Sequence, residues 1–186
     1  HTCAILENAS VKCWGKGDSG QLGYGNTYDL GDNSGEMGDN LTVVDLGTGR
    51  TATAISAGLY HTCAILDNAS LKCWGYNRYG QLGYGINYNL GDDSSEMGDN
   101  LPVVKLGTGR TATAIAVGKY HTCAILDNAS VKCWGRSNLG QLGYGDTNSR
   151  GDGSNEMGDN LSIVDLGTGR TATAISGGYE HTCAIL

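Results

Sequence analysis

The sequence is short of several things, and each shortage closes a class of answer. No apolar run approaches the ~20 residues that a membrane-spanning helix needs. No basic block is present, and 12 Lys and Arg stand against 19 Asp and Glu, for a net charge of −7. A nucleic-acid backbone is bound through clustered cations, so it is not an expected partner. There is no serine elbow, no phosphate-binding loop and no HExxH helix, and the chain is expected not to be an enzyme. No stretch sustains the 3.6-residue apolar spacing of an amphipathic helix. Proline occurs once and phenylalanine not at all.

What is abundant is glycine, at 31 of 186 residues, against a usual share of about 7%. It is spread along the chain, which argues against a helical bundle. No G-X-Y period exists, so collagen is excluded. The organising feature is instead a repeat. HTCAIL recurs at 1–6, 61–66, 121–126 and 181–186, without insertion or deletion. Any two copies agree at about seven positions in ten, a mark of recent duplication. The chain therefore reads as repeat one (1–60), repeat two (61–120), repeat three (121–180) and the start of a fourth (181–186). It opens at His1 with no capping segment and stops at Leu186 in mid-hairpin. Natural arrays end in atypical caps, so a longer parent array is expected.

Within one copy, His1–Leu6 and Val11–Trp14 are short apolar stretches around the polar turn Glu7-Asn8-Ala9-Ser10, a β-hairpin signal. Gly20–Gly25 favours turns, and 26–40 reads as a polar surface loop. Leu41–Leu46 and Thr51–Ser56 are the third and fourth strand candidates. The second of these alternates Thr51, Thr53 and Ile55 with Ala52 and Ala54, whose small side chains would let sheets approach closely. The expected fold is all-β: tandem four-stranded β-sheet repeats, propeller-like blades that stack to bury their faces.

The string HTCAILDNASVKCWGRSNLGQLGYG at 121–145 resembles a regulator of chromosome condensation repeat. Its hallmarks are His121-Thr122, Ala124-Ile125-Leu126, Trp134-Gly135 and Gly140-Gln141-Leu142-Gly143, and they recur at the same offsets in the other copies. The resemblance implies a β-propeller, usually of seven blades. Sequences that share the GD…EMGDNL…VDLGTGR segment look like secreted or surface proteins of bacteria and microbial eukaryotes. Three repeats do not close a seven-bladed ring, and the paired cysteines set this chain apart from the nuclear founder. Nucleotide exchange on a small GTPase and chromatin binding are therefore not carried over.

Each copy has a Cys-x9-Cys pair, one cysteine on each arm of the hairpin. Residues facing each other across antiparallel strands lie within disulfide reach, so the pairs expected are Cys3–Cys13, Cys63–Cys73 and Cys123–Cys133. Cys183 is left over, and by the same spacing its partner lies past Leu186. Buried free thiols and a metal site are the alternatives, although Zn ligands usually come as close Cys pairs. Disulfides imply an oxidising compartment, hence an extracellular or cell-surface location. The turns Asn8-Ala9-Ser10, Asn68-Ala69-Ser70 and Asn128-Ala129-Ser130 are N-glycosylation sequons. Asn40-Leu41-Thr42 and Asn160-Leu161-Ser162 are two more, and Pro102 blocks the middle copy.

Oxygen ligands cluster in the loop that carries Asp32, Glu36 and Asp39, repeated as Asp92, Glu96, Asp99 and as Asp152, Glu156, Asp159. Hard cations want several oxygens from a flexible loop, so Ca²⁺ is a candidate. The alternative is Asp and Asn side chains bonding their own backbone. No other cofactor is expected. His1, His61, His121 and His181 fall on successive blades and read as structural hydrogen-bonding groups. Trp14, Trp74 and Trp134 read as packing between sheets, with a carbohydrate platform as the alternative. Variation concentrates at 16–19 (KGDS, then YNRY and RSNL) and 26–30 (NTYDL, then INYNL and DTNSR). In repeat arrays such loops mark a contact surface, or else record neutral drift.

The leading expectation is a non-enzymatic extracellular structural protein, a segment of a long array, filament or surface scaffold whose partners are neighbouring repeats or further copies of itself. The alternative is a secreted, closed propeller that recognises a protein or glycan through its variable loops.

Overall fold

The computed structural model describes residues 1–186. Ten strands form: β1 (Thr2–Ile5), β2 (Val11–Trp14), β3 (Ala52–Ala57), β4 (His61–Leu66), β5 (Leu71–Gly75), β6 (Ala112–Val117), β7 (His121–Leu126), β8 (Val131–Gly135), β9 (Ala174–Gly177) and β10 (Thr182–Ile185). No helix is long and apolar enough to cross a membrane.

The hairpins are built from their turns outward. Asn68 Oδ1 accepts hydrogen bonds from the Ser70 amide (3.1 Å) and hydroxyl (2.7 Å), which closes an Asx turn. Ala69 between them is left-handed, at φ 61°. That turn fixes the register, with Cys63 opposite Cys73, Thr62 opposite Trp74 and His61 opposite Gly75. Disulfides join Cys3–Cys13, Cys63–Cys73 and Cys123–Cys133, each with Cα atoms 4.1 Å apart. Cys183 is exposed and unpaired.

Each sheet takes its first strand from the preceding 60-residue copy: the orders are β3-β4-β5 and β6-β7-β8, with β1-β2 and β9-β10 as partial sheets. The structural blade is thus offset from the HTCAIL period. In β3 the alternation expected for Thr51–Ser56 is broken by a bulge between Ala52 and Ala54, and the Thr53 hydroxyl there donates to the Ile65 carbonyl (3.2 Å). Successive sheets do approach closely along their first strands. A Cβ on Gly58 would lie 2.2 Å from the Gly118 carbonyl oxygen.

The fourth pass of each sheet comes from an unexpected segment. It is Leu30, Leu90 and Arg150 that pair, through single bridges to Gly15, Gly75 and Gly135. Leu41–Leu46, expected as a strand, forms none. A tyrosine accounts for the difference. The Tyr24 hydroxyl accepts from the Cys13 amide and donates to the Cys13 carbonyl (both 3.0 Å), and it also lies within donating distance of the Thr42 carbonyl (3.1 Å). It stands where a neighbouring strand's main chain would pair, and holds Thr42 off β2. Only Val44 reaches the strand edge, its amide donating to the Val11 carbonyl (2.8 Å). Tyr84 and Tyr144 occupy the same place on Cys73 and Cys133. Leu41, Val44 and Leu46 still bury their side chains, so the segment covers the core without joining the ladder.

That core runs between the sheets rather than within one. Trp74 and Trp134 are fully buried, among Leu22, Leu82, Leu66 and Leu126. The Trp74 indole N–H donates to the Gln21 carbonyl of the previous copy (3.1 Å), and Trp134 does the same to Gln81 (3.0 Å). Gly23, at φ +77°, makes room: a Cβ there would lie 2.7 Å from the Trp74 indole nitrogen.

Candidate binding surface

The histidines tie copy to copy. His61 Nε2 lies 2.7 Å from Thr122 Oγ1, and that hydroxyl donates to the Gln81 carbonyl (2.8 Å). Since the threonine proton is spent on the carbonyl, His61 carries its proton on Nε2 and donates it. Its Nδ1 is buried without a partner. Burial, reinforced by His121, pushes the His61 pKa down to about 3. His1–Thr62 and His121–Thr182 repeat the contact at 2.7 and 3.0 Å. His1, His61 and His121 are spent on bonds between copies, as are Trp74 and Trp134, which is the structural role expected of them.

The acidic loops act on the main chain. Glu36 Oε2 accepts from the Gly31 and Asn33 amides (2.8 and 3.1 Å), and those amides hold its carboxyl below the usual range. Glu96 and Glu156 make the same staple from Gly91 and Gly151. Asp99 reaches back to the previous copy, accepting from the Thr48 amide (2.9 Å) and hydroxyl (2.6 Å), and Asp159 does so on Thr108. The Thr48 hydroxyl and amide hold the Asp99 pKa down. Asp32 accepts from Asn33 and Asp92 from Asn89, and Asp32, Asp92 and Asp152 each lie against the glutamate of their own loop, Glu36, Glu96 and Glu156, while Asp39 binds no side chain. No three His, Cys, Asp or Glu side chains converge on one point. Beside these loops the buried Lys72 ammonium donates to the Leu46 and Gly98 carbonyls (3.0 and 2.7 Å), and burial lowers its pKa.

Asn8, Asn68 and Asn128 are exposed at hairpin tips, engaged through Oδ1 only. The Asn40 side-chain amide instead donates to the Gly35 carbonyl (2.8 Å), while Asn160 is exposed as the last residue of its 3-10 turn.

At the opposite end of the central strands lies a surface of another character. The residues that lead into β4, β7 and β10 meet the loops that follow β2, β5 and β8, which are the variable segments 16–19, 76–79 and 136–139. Tyr60 stacks on Tyr120 with ring centroids 5.4 Å apart and planes 12° from parallel. Tyr76 packs at 5.9 Å from Tyr60 and 5.8 Å from Tyr120, and Tyr79 meets Tyr120 edge-on at 5.2 Å. Cations cover the rings: Arg136 lies 5.0 Å from Tyr79, and Lys119 lies 4.8 Å from Tyr120 and 4.0 Å from Tyr179. The four clustered rings are half-buried, and Tyr179 is 59% exposed.

The variable segments alone do not identify this cluster. Tyr60, Lys119, Tyr120 and Tyr179 sit outside them. The signal that finds them is that positions 59 and 60 also change between copies, as Leu59-Tyr60, Lys119-Tyr120 and Tyr179-Glu180. The second variable segment braces the first: the Asp29 carboxylate accepts from the Gly17 amide (2.7 Å), and Asn89 from Asn77 (3.1 Å).

Comparison with known proteins agrees with the blade geometry. The regulator of chromosome condensation (RCC1) repeat model matches residues 1–21, 52–81 and 112–141, and a second model of the same description matches 73–125. The matches at 52 and 112 begin where the sheets begin. The ultraviolet-B receptor UVR8 of Arabidopsis thaliana is 28% identical over 188 aligned residues, covering all of this chain and 37% of the receptor. The human E3 ubiquitin-protein ligase HERC2 is 26% identical over 78% of this chain and 3% of its own length. The chain thus spans little more than a third of the plant relative and far less of the ligase. Among solved structures, Saccharomyces cerevisiae Prp20p superposes with a TM-score of 0.69 at 17% identity, over 98% of this chain and 40% of that one. Human WBSCR16 gives 0.69 at 15%, over 98% and 42%. Both show the fold, a propeller of such blades.

Proposed function

The chain belongs to the regulator of chromosome condensation repeat family, and on that premise we propose that it is a non-enzymatic binding segment of a β-propeller which holds a protein partner on its tyrosine-lined face. The observation that carries this reading is the Tyr60, Tyr76, Tyr79 and Tyr120 cluster with Arg136 and Lys119 over its rings. Tyr and Arg are enriched among the few residues that dominate protein interfaces: Tyr buries large area at low entropic cost, and Arg brings a planar fork of donors. Tyr76, Tyr79 and Arg136 sit in loops that differ between copies, and Tyr60, Lys119 and Tyr120 come from the strand entrances beside them, while the frame below is repeated. One protein of this fold binds other proteins: yeast RCC1 (Prp20p) is bound to Kap60 in one structure and has binding properties to Gsp1p and histones.

The three hairpin disulfides support an oxidising location, at the cell surface or outside the cell. There the exposed Asn8, Asn68 and Asn128 turns would carry N-glycans, read as a mass loss on enzymatic deglycosylation.

A photo-crosslinking side chain in place of Leu139, which is 62% exposed at this face, tests the reading in the native host. The same group at Glu7, exposed at a hairpin tip at the far end of the strands, is the control. A discrete protein adduct from position 139 and none from position 7 is expected. Adducts from neither, or only from position 7, would remove the face from consideration.

The second reading is a structural array. It draws on ties that recur between copies, Thr48 to Asp99 and Thr108 to Asp159. Electron microscopy of the native protein separates the two: rods with an axial repeat favour the array, and discrete rings favour the binding module.

A further inference from the structure

We propose that the segment held on this face is acidic and extended, a peptide stretch of the partner whose carboxylates pair with Arg78, Lys119 and Arg136. This deepens the binding reading and rests on it. The chain as a whole carries −7, yet in the second and third copies this face sets three cations against one carboxylate, Glu180. Arg136 lies 3.9 Å from Glu180, too far for a hydrogen bond, and Arg78 has no ion pair or hydrogen bond within the chain. Guanidinium groups fork onto carboxylates, so the open donors of the exposed Arg78 and the half-buried Arg136 suit Asp and Glu side chains. The tyrosines between them offer flat apolar area and hydroxyls to the peptide backbone. The negative charge elsewhere is screened beyond about 8 Å at physiological salt, so the local cations dominate close approach.

A second, independent observation concerns Arg78. In copy one the buried Gln21 side-chain amide donates to Asp18 Oδ1 (3.3 Å), and in copy three Gln141 donates to Asn138 Oδ1 (3.4 Å). Copy two has Arg78 at that place, which accepts nothing, and Gln81 Nε2 is buried with no partner. A fully buried donor without an acceptor is destabilising. The position has lost a hydrogen bond and gained an exposed cation between Tyr76 and Tyr79. Stability lost at a site that presents a charge is the trade that function imposes.

The test begins with random peptides displayed on phage and selected against the full chain at physiological salt. Enrichment of Asp and Glu over the starting library is expected. An enriched peptide, made synthetically, is then titrated by calorimetry. Arg78→Asp should weaken it about tenfold or more, the scale of an interface hot spot. The same substitution should raise the thermal midpoint, because Gln81 regains an acceptor, so loss of binding would not reflect loss of fold. Tyr120→Ala should weaken binding comparably, and Asn68→Asp at the hairpin tip should leave it unchanged. Enrichment of neutral or basic peptides, preferential binding of neutral oligosaccharides, or acidic peptides that bind both face variants at full strength would overturn the proposal. A partner crosslinked from position 139, with selected peptides that are not acidic, sinks this inference alone. No crosslink and no enrichment sink the binding reading with it.

Discussion

Acid should unfold this protein through His61, and the size of the effect follows from the geometry. The ring is fully buried, donates from Nε2 to Thr122, and has an unpartnered Nδ1. A second proton would go to Nδ1, where no acceptor waits, and would place a charge between two sheets. The folded pKa, about 3, lies below the ordinary value of 6.5 that the unfolded chain shows. Stability from the neutral ring is therefore complete above pH 6.5 and is lost as pH falls toward 3, since the unfolded state takes up the proton first. At 1.36 kcal/mol per unit the loss is about 2 kcal/mol at pH 5 and about 3 kcal/mol at pH 4. His121, lowered in the same direction by burial, adds to it. Urea denaturation of the protein and of His61→Gln at pH 7.5 and pH 5 isolates the His61 share. The variant should lose about 2 kcal/mol less than the parent over that interval. Equal losses, or a His61 ring resonance that titrates near 6.5, would falsify the account.

Three further perturbations have defined outcomes. Ala9, Ala69 and Ala129 each sit at φ 61°, a conformation that costs an L-residue about 1 kcal/mol and glycine little. Replacing all three with Gly should add up to about 2 kcal/mol in chemical denaturation, because the sites are far apart and additive. Cys63→Ala with Cys73→Ala opens a ten-residue separation and should cost about 3 kcal/mol on the chain-entropy scale, seen as a lower guanidinium midpoint. Lys72→Met keeps the packing of the stem but strips the Leu46 and Gly98 carbonyls of their donor. A loss of about 2 kcal/mol is expected, and a neutral result would show that water replaces the ammonium.

The hairpins, disulfide pairs and inter-sheet tryptophans were legible because each follows from a local rule. Asn-Ala-Ser makes the turn, the turn sets the register, and the register puts Cys63 across from Cys73. Leu41–Leu46 was not legible, because its state is decided by a residue 18 positions away, the Tyr24 hydroxyl that bonds both Cys13 and Thr42. Periodicity reports which side chains are buried, and Leu41, Val44 and Leu46 are buried as the pattern says. It does not report whether a main chain finds a partner. The offset of the blade by one strand was hidden for a related reason. A perfect repeat has no intrinsic start, so only pairing reveals that β3 belongs with β4. In the acidic loops, residue type alone pointed to turn bonding first and left Ca²⁺ as the weaker alternative. The structure shows the Gly31 and Asn33 amides both donating to Glu36 Oε2, with the Asn33 side-chain amide on Oε1.

The face was half legible, in its variable loops, and what the structure adds is where the frame bears a cost. Apart from histidine Nδ1 atoms, the buried side-chain polar atoms without partners are Gln81 Nε2 and Ser137 Oγ. Ser137 lies in the third copy's variable loop, and Gln81 bonds into the second copy's, at the Tyr79 amide. Ser137 replaces Asn77 of the copy before, whose side chain donates to the Ile86 carbonyl (2.9 Å) and accepts from the Leu82 amide (3.0 Å). The shorter serine reaches neither equivalent, so the third loop has lost two hydrogen bonds that the second one makes. Ser137→Asn should restore them and stabilise the protein by about 1–2 kcal/mol, measured as a rise in the urea midpoint. If that substitution and Arg78→Asp both stabilise, the unsatisfied atoms are confined to the surface where the copies diverge, as selection for binding requires. If both are neutral, the loops differ by drift and the tyrosine cluster loses its energetic support.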